Sequence, residues 1–257
     1  MSTSVPRRWL AIGLTSLLLL GLPSMAAATH SWGGYHWART SNPFTIKLGN
    51  DLSSGWQTYL GKASSDWSAS DVLDTTIVTG QAKPRNCRPT AGRDEICNAT
   101  YGNTGWLGVA QIWISGGTHI TQGTVKVNDT YFNTSTYNTP AWRQMVMCQE
   151  IGHTFGLDHQ DTNFNNTNLG TCMDYTSNPL GPPSNVSPNK HDYDELDIIY
   201  AHFDSTTTIA APVATSPGIG GSDWGRLVSA SKDGRTSVFV KADDHGNAVI
   251  TYVIWAR

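Results

Sequence analysis

The sequence predicts an α+β fold followed by a small β appendage, on three observations. Strand-like runs recur at 42–48, 75–79, 106–115 and 120–128, rich in Ile, Val, Thr and Trp and separated by turn residues. Apolar residues at helical spacing interrupt them at Ser54 to Ser70 and again after Thr139. Residues 206–221 are then almost wholly Ser, Thr, Ala, Pro and Gly, a linker by composition, and residues 222–257 carry three short β-like runs.

Taken in order, residues 1–28 read as a secretory signal. Arg7-Arg8 supply a positive start, Leu10 to Leu22 a mostly apolar run, and Met25-Ala26-Ala27-Ala28 small residues for cleavage. The mature chain is expected to start near Thr29, to be secreted, and to have no membrane anchor, because no other apolar stretch is long enough to span a bilayer. A formal net charge of −3 without a basic cluster argues against a nucleic-acid partner. Asn42 to Leu48 alternates as a first strand. Trp56, Leu60, Ala63 and Trp67 define the apolar face of the first helix, and Thr75 to Thr79 makes a second strand. Residues 80–104, punctuated by Pro84, Pro89, Gly92 and Gly102, read as a loop. Trp106 to Ser115 and Ile120 to Asn128 are strands joined at Gly116-Gly117.

The next helix has a clear start, with Thr139 as N-cap and Pro140 at the first helical position. It carries Gln149-Glu150-Ile151-Gly152-His153-Thr154-Phe155-Gly156-Leu157-Asp158-His159, the pattern Q-E-x-x-H-x-x-G-x-x-H. Residues four apart share a helix face, so Gln149 and His153 point the same way. Glu150 stands one step round, and Gly156 suits a left-handed C-cap from which His159 can return to the same point. A last helix is expected over Asp192 to Phe203, with Leu196, Ile199, Tyr200 and Phe203 apolar. Gly225 to Ser231, Thr236 to Lys241 and Ala248 to Trp255 read as a small antiparallel sheet packing on the main domain, with no chemistry of its own.

The motif resembles the long zinc signature of the metzincin metallopeptidases, with Gln149 where the first histidine stands. Met173 and Tyr175 match the family's methionine turn, and 188–196 is similar to the start of the last helix of matrixin-like members. The resemblance covers residues 29–205. It implies a mixed twisted sheet with an active-site helix and a C-terminal helix. It also implies Zn2+ held by His153, His159 and Gln149, with Glu150 activating a zinc-bound water and Tyr175 helping to hold the oxyanion. Substrate would lie antiparallel along an edge strand, either 120–128 or the Trp106 strand.

A glutamine oxygen is neutral and a poorer zinc partner than imidazole. Three readings therefore stand side by side. Gln149 ligates weakly; or Asp158, Asp161 or His191 completes the set; or the scaffold is a catalytically impaired module that binds a peptide or partner. Four cysteines in an exported chain allow three pairings. Cys87–Cys97 and Cys148–Cys172 are favoured, against Cys148 as a metal ligand. His30 and His36 read as part of an aromatic N-terminal patch, His119 as turn surface, and His202 and His245 as exposed, so no second metal is expected. The expected protein is a monomeric secreted endopeptidase acting on peptides or proteins.

Overall fold

The computed structural model describes Met1, residues 30–210 and residues 223–256. The signal segment and most of the linker read from the sequence lie outside the described residues. Nine strands form one mixed sheet in the order β3-β2-β4-β6-β5-β9-β8-β7, with the two-residue β1 (His36–Trp37) pairing β6 alongside. These are β2 (Phe44–Asp51), β3 (Leu73–Thr79), β4 (Asp94–Ala99), β5 (Trp106–Ser115), β6 (His119–Asn128), β7 (Arg226–Ala230), β8 (Thr236–Ala242) and β9 (Ala248–Trp255). β2, β3, β4 and β6 run parallel; β5 runs antiparallel to both β6 and β9.

Helix α1 (Gln57–Trp67), entered through a 3-10 turn at Ser54–Trp56, packs on β3 and on the long helix α3 (Pro140–Thr154), which lies across β5 and β6. Trp56, Leu60, Ala63 and Trp67, the predicted apolar face, are all buried. A short helix α2 (Asp129–Phe132) follows β6. Helix α4 (Lys190–Ile199) starts at a capping box between Asn189 and Asp192. It ends at Ile199, so the predicted helix end at Phe203 is corrected: Phe203 is exposed and lies beyond the helix.

Two expectations are corrected. The loop predicted over 80–104 contains β4, an internal strand buried from Asp94 to Asn98. Its polar residues hid it: Asp94 accepts from Thr154 Oγ1 at 2.7 Å, and Glu95 pairs with Arg93 at 2.7 Å. Buried charges survive where such partners exist, so alternation of polar and apolar residues is lost. Likewise, the C-terminal strands are antiparallel as expected, but they do not form a separate appendage. β9 pairs with β5 from Trp106 to Ile114 and continues the main sheet. Neither β5 nor β6 is therefore an edge strand, because each has a partner on both sides. Backbone N–H and C=O groups along β5 drive this pairing, since an open ladder edge invites another strand.

Trp67 locks α1 to α3. Its ring is fully buried, its Nε1 donates to the Cys148 carbonyl at 3.1 Å, and it fills the space beside Gly152. Trp67→Ala should lower unfolding free energy by about 3–5 kcal/mol, the range for truncating a buried tryptophan, read from urea denaturation.

Candidate active site

Helix α3 is built as the sequence suggested at both ends. Thr139 Oγ1 accepts from Trp142 N at 3.3 Å, and Pro140 opens the helix. Phe155 caps the other end, and Gly156 follows at φ +97°. A Cβ at Gly156 would stand 2.1 Å from the Tyr35 carbonyl oxygen, so both backbone angle and space require glycine here. Trp32 N donates to the Gly156 carbonyl, and Trp37 Nε1 donates to the Thr154 carbonyl at 2.9 Å, so residues 32–37 brace the turn.

Beyond that turn the chain brings His159 back beside His153. Their Nε2 atoms lie 3.0 Å apart. His153 Nδ1 donates to the Leu157 carbonyl at 2.8 Å, which leaves its Nε2 as a bare lone pair. Tyr175 joins them, its hydroxyl 2.6 Å from His159 Nε2. Asp158 Oδ1 lies 3.2 Å from His159 Nδ1, behind the ring. Burial, and then the neighbouring His159, lower the His153 pKa from 6.5 to about 3, so the imidazole is neutral.

Gln149 is fully buried on the helix turn before His153. Its Nε2 donates to the Cys172 carbonyl at 2.9 Å, which leaves Oε1 without a protein partner. Glu150 is also buried, its carboxylate accepting from the Ala110 amide of β5 while Oε2 has no partner. Gly108 makes room for it: a Cβ there would stand 2.5 Å from Glu150 Oε1. Burial pushes the Glu150 pKa well above the ordinary carboxylate range. Met173 lies buried beneath the helix at Gly152.

These donors fit a zinc ion. Tetrahedral zinc holds imidazole nitrogens at about 2.0–2.1 Å, which places two donors ~3.3 Å apart. The two histidine nitrogens, 3.0 Å apart, are donors of that kind, while the Tyr175 hydroxyl beside His159 and the orphaned Gln149 Oε1 are weaker oxygen donors. The other suggested ligands do not gather. Asp158 sits behind His159, Asp161 bonds Asn163 N and Asn166 Nδ2, and His191 stacks on His30 at 4.9 Å. Cys148 is disulfide-bonded to Cys172, and Cys87 to Cys97, the favoured pairing.

The tail carries a residue that the sequence reading assigned to packing alone. Tyr252 of β9 pairs in register with Ala110 and stacks face to face on His153, centroids 4.1 Å apart and planes 4° from parallel. Its hydroxyl is buried without a protein partner. Nothing local in 248–255 marks this role, because it depends on which strand β9 pairs with. The reading of His36 as packing and of His119 as turn surface is also corrected. Rather than bland packing or turn surface, His36 and His119 turn ring nitrogens to Asp204, within 4.8 Å of one another. His202, exposed as predicted, joins them.

No family model matches this chain, and no curated protein matches it. Among solved structures, it is similar to High choriolytic enzyme 1, a hatching enzyme zinc-protease from the medaka Oryzias latipes. That likeness has a TM-score of 0.35 and 12% identity over 65% of this chain and 94% of the other. A likeness of that size transfers no residue role. No helix among the described residues is long and apolar enough to cross a membrane.

Two outcomes follow. Gly156→Ala should cost of order 1–3 kcal/mol from backbone strain and lower zinc affinity with it, measured by thermal melting and zinc titration. In metal-free protein, unfolded His153 takes up a proton near 6.5 and the folded residue only near 3. Between those values the unfolded state holds more protons, so stability falls as pH drops through that window. His153→Gln should flatten this part of the stability–pH curve.

Proposed function

We propose that the protein is an exported zinc-dependent endopeptidase whose own C-terminal strand lies over the site. The observation that carries the reading is the approach of His153 Nε2 and His159 Nε2 to 3.0 Å at the end of one helix. Two ring nitrogens at that separation, with the His153 Nδ1 proton already committed to a carbonyl, are arranged to share a cation. His153, His159 and the Gln149 amide oxygen would hold it, with the Tyr175 hydroxyl alongside. Zinc bound there supplies Lewis acidity to a peptide carbonyl and acidifies water.

The chain's own groups then divide the remaining work. Glu150 takes a proton from the attacking water and delivers it to the leaving amine. The Tyr175 hydroxyl donates a hydrogen bond to the oxyanion. Gly108 and Ala110 of β5 form the wall against which the Glu150 carboxylate rests.

β5 is the strand along which an extended substrate would add, and β9 already runs antiparallel beside it. Tyr252 covers His153, and the site residues Gln149, Glu150 and His153 are at most 1% exposed. Burial also favours a protonated Glu150, which cannot act as a base. These observations support a latent form in which displacement of β9 admits water and substrate together.

A second reading has its own support. Gln149 is a weaker ligand than histidine, and a fully covered site suits an impaired scaffold that binds a peptide or partner. The test is cleavage of casein by purified protein, with zinc content and chelator sensitivity measured in parallel. The expected result is low, chelator-sensitive cleavage that rises at least about tenfold in Tyr252→Ala and falls about 10²–10⁴-fold in Glu150→Gln. Gln149→His should raise zinc affinity and activity together. A Gln149→His/Tyr252→Ala protein that holds zinc at the site yet leaves casein intact would establish the binding scaffold instead.

A further inference from the structure

Outside the site described above, three imidazoles from three parts of the chain face one carboxylate oxygen, Asp204 Oδ1. His36 comes from β1, His119 from the first position of β6, and His202 and Asp204 from the segment after α4. Asp204 Oδ1 lies 3.4 Å from His36 Nε2, 3.2 Å from His119 Nε2 and 3.8 Å from His202 Nε2. His202 Nε2 lies 3.1 Å from His36 Nε2. The ring planes of His119 and His202 stand at 81° and 87° to that of His36, as rings do when they radiate from a shared centre.

His36 Nδ1 donates to the Gly34 carbonyl at 2.8 Å, so a neutral His36 presents a lone pair at Nε2. That lone pair faces a carboxylate oxygen and a second imidazole nitrogen. Asp204 Oδ2 is already taken by the Arg39 backbone N–H and Nη1, each at 3.1 Å, which leaves Oδ1 to face all three rings. Nε2–H protons on His119 and His202 can satisfy Asp204 Oδ1 and His36 Nε2 separately. A divalent cation between His36, His119 and Asp204 satisfies these three donors at once and removes the repulsion of the His36 lone pair by the carboxylate.

We propose that His36, His119 and Asp204 form a second zinc site, distinct from the centre on α3, with His202 beside it as an outer partner. Zinc with nitrogen and carboxylate ligands at about 2.0–2.2 Å in a tetrahedron separates its donors by ~3.3 Å, and the separations here bracket that value. The Gly34 carbonyl on His36 and Arg39 on Asp204 are the outer partners that fix ligand orientation. The ion ties β1, the β5–β6 hairpin and the chain after α4 together. Because Tyr35 and Trp37 brace the Gly156 turn, a metal on His36 also holds the segment on which the α3 centre rests.

The test is zinc stoichiometry by elemental analysis, on protein saturated with zinc and freed of excess, for the full chain and for His119→Ala/His202→Ala. The expected result is one fewer zinc per chain in the variant, whatever the α3 centre holds. A wild-type count of two against one leaves both sites standing, whereas one against none upholds this site and removes the other. His202→Ala alone, which truncates a half-exposed side chain, guards against misfolding: it should weaken binding at this site by about 10–100-fold, the worth of an outer partner. Cobalt substitution should give intense tetrahedral visible absorption that this variant reduces. Equal zinc counts in wild type and double variant, or an unchanged affinity in His202→Ala, would overturn the proposal.

Discussion

The site depends on one tight passage of backbone. At Gly156 the helix stops, and the Tyr35 carbonyl occupies the place where a side chain would begin. Only because the chain can turn there does His159 return to within 3.0 Å of His153. The turn is held from outside by residues 32–37 and from the last helix by Tyr200, whose hydroxyl donates to the Phe155 carbonyl at 2.9 Å. A longer or looser turn would leave two separate surface histidines and no shared point. The disulfide between Cys148 and Cys172 and the bond from Gln149 Nε2 to the Cys172 carbonyl tie the same helix to the segment that carries Met173 and Tyr175.

A second constraint acts from the sheet. β5 is antiparallel to β6 and would expose an unpaired ladder if the chain stopped after α4. β9 covers it, and the register that places Tyr252 opposite Ala110 also lays the phenol ring on His153. Closing the sheet and closing the site are thus one structural event.

Much of this was legible in the residues. The helix spacing of Trp56, Leu60, Ala63 and Trp67, the Thr139-Pro140 start and the Gly156 stop are local signals, and the structure bears each out. The three C-terminal strands were also visible as separate runs. What sequence could not supply was pairing between distant segments. β4 was hidden because Asp94 and Glu95 are satisfied by Thr154 and Arg93, contacts that exist only in the fold. The meeting of His36, His119 and the His202–Asp204 pair joins three segments more than eighty positions apart, so no spacing rule reports it. Tyr252 was read as packing for the same reason.

The central claim is that His153 and His159 share a metal ion. Anomalous diffraction at the zinc edge from zinc-loaded crystals tests it most directly. The account predicts a peak about 2.0–2.1 Å from both Nε2 atoms. Two Nε2 atoms bonded only to one another and to Tyr175, with no peak between them, would contradict it.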